Sequence, residues 1–197
     1  MTDDQLQAVA LRFAQLRDFL IGRGIRLVVV TNQLKDKFYP EYLPYPVRRA
    51  GNHRRFDEFR EMMHAIPGII YVDSTEILEP IKARRLIFHK TDLHWNDPAA
   101  AEVARILVNR IAALEGRKQP FWRSPLKTTI RELSGSDAIF MPLFYPPKEQ
   151  SLFLDKTFPA QPYSYETVKT PFEYIMRMTR PNEALLPPVL LCGDSFS

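Results

Sequence analysis

Ser195 stands in the segment Gly193-Asp194-Ser195-Phe196-Ser197, directly after the apolar run Pro188-Val189-Leu190-Leu191-Cys192. The run reads as a buried strand, and the glycine permits a tight turn at its carboxyl end. Such a turn leaves the serine hydroxyl exposed. A hydroxyl is a weak nucleophile until a neighbouring base takes its proton. The candidate base lies about a hundred residues upstream, in Lys90-Thr91-Asp92-Leu93-His94-Trp95-Asn96. With one residue between them, Asp92 and His94 can turn towards the same cleft. A carboxylate that accepts from the ring N–H fixes the tautomer and stabilises the imidazolium formed during proton transfer. Ser195, His94 and Asp92 are therefore the candidate catalytic set, and the chemistry they suit is acyl transfer. The backbone N–H of Ser195 is one candidate oxyanion donor, and no second donor is legible from spacing.

Each piece alone has a plainer reading. Gly-Asp-Ser occurs in ordinary turns, and a histidine beside a tryptophan is often simply packed. Asp92 and His94 could be two metal ligands, but no further His or Cys cluster completes a zinc set, so no metal is expected. His53, His64 and His89 have no evident partner and read as surface or structural residues. Lys90 and Thr91 either position the loop or touch substrate.

The elements that must position these groups follow from periodicity. Residues 4–21 carry apolar side chains at helical spacing, and Gly22 and Gly24 end that helix. Ile25 to Val30 reads as a buried strand of parallel type. Residues 32–47 read as a proline-bearing loop. A second helix is expected over 53–65, broken by Pro67-Gly68, then a strand over 69–72 and a short helix over 74–83. Leu86 to His89 reads as a third strand that runs into the Asp92/His94 loop. Asn96 or Asp97 is the expected N-cap of a helix to about Leu114, with Pro98 in its first turn. Residues 117–187 hold most of the chain's 17 prolines. They are expected to be irregular, with a short helix near 127–134 and a hairpin near 151–169. Residues 188–192 form the closing strand, where Cys192 reads as a buried, inert thiol. Strands alternating with helices argue for a layered α/β domain with a mainly parallel sheet. Ligand sites in such sheets form at the carboxyl ends of strands. Both candidate segments sit at such ends.

The chain of 197 residues is long enough for one domain with a real core. No apolar run approaches the ~18–20 residues of a membrane span. Met1 is followed by Thr-Asp-Asp, which is no signal peptide. The single cysteine allows no internal disulfide framework. The net charge is +4. Basic residues gather at Arg48, Arg49, His53, Arg54 and Arg55, and again at Lys82, Arg84 and Arg85. They read as a solvated surface or as affinity for an acidic polymer such as a polyuronate. The fingerprint of a nucleic-acid module is lacking, and no nucleic-acid partner is expected.

The joint pattern is more specific than its parts. Lys-Thr-Asp-x-His-Trp-Asn, then a helix, then a strand ending in Gly-Asp-Ser-Phe-Ser resembles the SGNH-hydrolase-like domain of the alginate O-acetyltransferases (AlgX/AlgJ type). In that family the Asp-x-His motif precedes the Gly-Asp-Ser motif. Val28-Val29-Val30 followed by Phe38-Tyr39-Pro40-Glu41-Tyr42-Leu43-Pro44 is similar to its early strand and following loop. Ile69, Tyr71, Val72 and Asp73 match the next strand. Ser134-Gly135-Ser136-Asp137-Ala138-Ile139 occupies the place of a further family segment. The resemblance implies a single three-layer SGNH-like domain over residues 1–197. It also implies acetyl transfer to hydroxyls of an exported polysaccharide through an acetyl-serine. Ser195, His94 and Asp92 would be the triad, with Lys90, Thr91, Asn96, Arg48 and Arg49 as substrate-binding candidates. No cofactor is implied. The partners would be an acidic polysaccharide and an acetyl donor, the latter handed on by a membrane acetyl-transfer partner. The setting would be the periplasm or cell envelope. Three departures stand out. No export segment is expected from the first residues, Thr31-Asn32-Gln33 replaces the proline after the first strand, and the sequence stops two residues after the serine. The expected fold is accordingly incomplete at its carboxyl end. Two other readings fit the same residues: a non-catalytic polysaccharide-binding or assembly subunit, and an acetylesterase.

Overall fold

The computed structural model describes residues 2–46, 54–118, 127–140, 144–155, 164–169 and 174–179, with Val189 and Gly193. The chain opens with α1 (Asp3–Ile21), β1 (Leu27–Thr31), α2 (Lys35–Phe38) and a 3₁₀ turn at Pro40–Tyr42. It continues through α3 (Arg54–Ala65), β2 (Ile69–Asp73), α4 (Ser74–Lys82) and α5 (Asp97–Leu114). Then come β3 (Thr128–Leu133), α6 (Ser136–Phe140), β4 (Glu149–Leu154), β5 (Ser164–Lys169) and β6 (Tyr174–Thr179).

Local chemistry fixes several of these boundaries. Thr2 and Gln5 form a capping box that satisfies donors at the start of α1. Gly24, at φ 72°, takes the left-handed conformation that turns the chain into β1. The Asp73 side chain caps α4 by accepting from the Thr75 N–H at 2.8 Å. The Asn96 side chain caps α5 by accepting from the Ala99 N–H at 3.1 Å.

β1 and β2 pair in parallel, with Val29 opposite Tyr71 and Val30 opposite Val72. Because side chains alternate along a strand, this register gives the sheet two distinct faces. On one face Tyr71 meets the Phe59 ring of α3, and its hydroxyl is 2.6 Å from Thr31 Oγ1. α1 packs on the same helix through Phe13 and Phe59. On the other face Val30 packs against a buried cluster of Phe38, Leu78, Ile87, Phe88, Ala99 and Val103. Helices therefore cover both faces of the sheet, the arrangement of a layered α/β fold.

Four expectations need correction. Residues 32–47 are not only loop: α2 and the 3₁₀ turn lie there, and the buried Phe38 packs its ring at a tilt against Phe88. Residues 86–89 form no ladder strand; they fold back on 94–96 through the single bridge Phe88–Trp95. Residues 128–133 are a strand rather than a helix, because Thr128, Thr129 and Ile130 are β-branched and an antiparallel partner, β4, is available. The hairpin expected at 151–169 is two separate pairings, β3 with β4 and β5 with β6. Parallel pairing among the described residues is confined to β1–β2. The closing strand 188–192 and Cys192 lie outside the described residues, apart from Val189. Among the described residues no helix is long and apolar enough to cross a membrane.

Candidate active site

The site is built where the chain turns back between residues 89 and 96. The Asn96 N–H donates to Ile87 O at 2.9 Å, and its side-chain amide donates to Leu86 O at 2.8 Å. From below, the Tyr39 hydroxyl accepts from the Ile87 N–H at 3.1 Å. Residues 90–94 project from this base as a loop.

Asp92 and His94 meet within that loop. Asp92 Oδ1 lies 2.6 Å from His94 Nδ1 and also accepts the His94 backbone N–H at 2.9 Å. The other oxygen, Oδ2, accepts the Ser136 N–H at 2.8 Å. Burial alone would raise the Asp92 pKa. The hydrogen bonds from Ser136 and His94 outweigh it and hold the carboxyl well below the usual carboxylate range. The buried Ser136 hydroxyl also favours the anion, although its geometry falls short of a hydrogen bond. An ionised carboxylate can only accept. His94 Nδ1 must therefore carry the proton, and the lone pair of the neutral ring sits on Nε2. About a third of the His94 side chain is exposed, at 31%. The result is an imidazole oriented by its carboxylate.

Three segments hold the loop itself. Lys35 Nζ, at the start of α2, donates to Lys90 O at 2.8 Å and Asp92 O at 3.1 Å. Glu149, which opens β4, accepts from the backbone N–H groups of Lys90 and Thr91 at 2.9 and 2.7 Å and from the Thr91 hydroxyl at 2.8 Å. The Thr91 hydroxyl in turn accepts the Gly135 N–H at 2.9 Å. Gly135 sits so close that an added Cβ would lie 2.4 Å from Thr91 O and 2.6 Å from Asp92 Cβ.

This geometry can be set beside known proteins. A family model described as an SGNH hydrolase-like domain, acetyltransferase AlgX, matches residues 2–197. The chain belongs to that family. A probable alginate O-acetylase AlgJ of Pseudomonas fluorescens is 30% identical over 194 residues, covering 92% of this chain and 44% of its own length. The corresponding protein of Pseudomonas syringae pv. tomato is 28% identical over 72% of the chain and 39% of its own length. The chain thus spans less than half the length of these relatives. Two solved structures share the fold. The O-acetyltransferase domain of Pseudomonas putida AlgJ aligns with a TM-score of 0.52 at 20% identity, over 78% of this chain and 58% of that one. Bacillus cereus PatB1 aligns with a TM-score of 0.58 at 14% identity, over 89% and 59%. The fold is the SGNH-like α/β fold of the AlgX family.

Of the residues singled out in this AlgX-family chain, the structure brings Asp92 and His94 together. Ser195, Arg48 and Arg49 lie outside the described residues. Asn96 does a different job from the expected substrate contact. It is only 2% exposed, and both ends of its amide are used, one as the α5 cap and one on Leu86. The Thr91 hydroxyl is likewise engaged on both sides, by Glu149 and Gly135, and positions the loop. The Lys90 side chain is exposed and remains a candidate for substrate contact. His64 pairs with Glu76 at 3.7 Å and rests edge-on against Tyr71. His89 is buried, with Nδ1 2.6 Å from Ser151 Oγ; burial lowers its pKa, against the opposing pull of Glu149, Asp92 and Asp97. Sequence reasoning missed Lys35 and Glu149. Neither sits in a motif, and each lies more than fifty residues from its partners.

Proposed function

We propose that this chain is part of a serine-dependent O-acetyltransferase, with Ser195 as nucleophile and His94 as base, acting on hydroxyls of an exported, acidic, alginate-like polysaccharide. One observation carries the reading. The acceptor-only Asp92 carboxylate on His94 Nδ1 leaves Nε2 as a base. Membership of the AlgX family supports the substrate class, and the alginate O-acetylase names of its relatives point the same way.

In this reading His94 Nε2 takes the Ser195 Oγ proton as Oγ attacks the acetyl carbonyl carbon of the donor. The tetrahedral intermediate collapses, the bond to the donor's leaving group breaks, and that group receives the proton from His94. Ser195 is left as its acetyl ester. A sugar hydroxyl then loses its proton to His94 and attacks the ester. The acetyl group passes to the sugar, and the proton returns to Ser195. Asp92 stays ionised throughout and stabilises the imidazolium in both halves. The polysaccharide and a membrane-delivered acetyl donor would be met in the periplasm.

Fluorophosphonate labelling with peptide mass spectrometry tests this. Adduct on Ser195 that disappears in His94→Ala is the expected result. A folded chain that takes no label, yet is retained on alginate, would replace the catalytic reading with a polysaccharide-binding one. Acetyl release to water without transfer to any glycan would make it an acetylesterase.

A further inference from the structure

We propose that Lys35 and Glu149 are positioning residues that hold Asp92 on His94, with Thr91 as the relay between them and the 135–136 turn. This rests on the reading of Asp92 and His94 as the catalytic pair. The loop that bears the pair has no ladder strand of its own beyond the Phe88–Trp95 bridge. Backbone groups of Lys90, Thr91 and Asp92 are met from elsewhere in the chain. Lys35 takes the carbonyls of Lys90 and Asp92, and Glu149 takes the N–H groups of Lys90 and Thr91. Lys90 is thus gripped through both its N–H and its C=O.

Glu149 also sets a direction. As an anion it accepts only, so the Thr91 hydroxyl must point its hydrogen at Glu149. The lone pairs of that hydroxyl then face Gly135, whose N–H donates to it at 2.9 Å. This bond, with Ala138 N–H on Thr91 O at 3.2 Å, fixes the turn that places Ser136 N–H on Asp92 Oδ2. The line from Glu149 to the carboxylate is continuous, and each link has one sense. Burial lowers the Lys35 pKa, while Asp137, Glu149 and Asp92 pull it upwards. Glu149 is held below its usual range: burial would raise it, but the hydrogen bonds from Lys90 and Thr91 prevail.

The test uses the full chain and the downfield imidazole proton of the His94–Asp92 hydrogen bond, read by one-dimensional proton NMR near freezing. It should be present in the unaltered chain and absent in His94→Gln. Lys35→Met and Glu149→Gln should weaken or abolish it while far-UV circular dichroism is kept, and Lys35→Arg should restore it. Lys148→Met, which removes only the surface partner of Glu132, should leave it unchanged. Thr91→Val, nearly the same volume without the relay hydroxyl, should act like Glu149→Gln, and Thr91→Ser should rescue. Thr91→Val keeps the test decisive if a charge variant does not fold. Activity should follow the resonance, with kcat falling about 10- to 100-fold and KM little changed, as expected for an interaction felt in the transition state. A resonance missing from the folded, unaltered chain, or indifferent to Lys35→Met, Glu149→Gln and Thr91→Val, overturns the inference. If the resonance responds as stated but no acetyl moves in any assay, the acetyltransferase reading fails and the positioning role stands.

Discussion

Asp92 acts as an anion with both carboxylate oxygens engaged by donors, and this makes it intolerant of its own amide. In Asp92→Asn one oxygen becomes an NH₂ group that must face the Ser136 N–H or the His94 N–H groups. Donor then meets donor, and the ring is free to adopt the wrong tautomer. A fall in kcat of roughly 10³–10⁴-fold with little change in KM is expected from the behaviour of hydrolytic triads, and steady-state acetyl transfer would measure it. An equal loss in KM would mean that Asp92 binds substrate instead. Acid should act on the same groups. A carboxylate whose folded pKa lies below its unfolded one contributes stability that is present above the unfolded value and lost as pH falls through the folded one. Glu149 and Asp92 are both lowered, from ordinary values of 4.5 and 3.8. Their contribution is therefore constant at neutral pH. Its loss begins as pH drops towards 4.5 and continues below 3.8. Urea midpoints measured in steps across this range should fall towards acid. In Glu149→Gln the midpoint should start lower at neutral pH and fall less.

The elements matter here chiefly through how closely they approach the loop. At Gly135 there is no room for even a methyl group, since its neighbours are backbone atoms of Thr91 rather than the end of a flexible side chain. Gly135→Ala should push the turn away from the loop and destabilise the chain by about 1–3 kcal/mol, the range for overpacked sites. It should also lower acetyl transfer more than the stability loss explains. Thermal melts together with turnover would separate the two effects, and unchanged turnover would show that the turn is not needed for the dyad. These elements were unequally legible in the sequence. α1, α3 and α5 carry apolar residues at a 3.6 period, α1 and α5 begin on side-chain caps, and Pro67-Gly68 follows α3, so local chemistry alone marks them. β3 was misread because Thr-Thr-Ile-Arg-Glu-Leu has no decisive period, and its strand state depends on a partner some twenty residues away. The Asp92–His94 pair was legible because two residues at fixed spacing make it. The clamp on that pair was not: Lys35 and Glu149 reach it only through the tertiary fold, and spacing carries no trace of such approaches.

At the scale of the whole molecule the question is how a modest net charge could hold an acidic polymer. Within the basic cluster of residues 48–55, the structure shows one charge that is already met. Arg55 lines an open groove of about 470 Å³ at the carboxyl end of β1, together with Thr31, Asn32, Gln33, Phe56 and Phe59. Yet its guanidinium is tied to Asp3 and to Glu58, the latter at 2.8 Å. A polyuronate would have to compete with two carboxylates for it. The grip of this cluster on such a glycan is therefore expected from Arg48, Arg49 and Arg54, its neighbours in the sequence. Retention on an alginate column should therefore be little changed by Arg55→Gln. It should be clearly weakened by the triple variant Arg48→Gln, Arg49→Gln, Arg54→Gln. The gap between triple variant and parent should be widest at low salt and close as ionic strength rises past about 0.15 M, where screening acts within ~8 Å. Equal retention of the triple variant and the parent at low salt would remove the charge argument. The aromatic and amide lining of the groove would then be left as the means of holding the sugar.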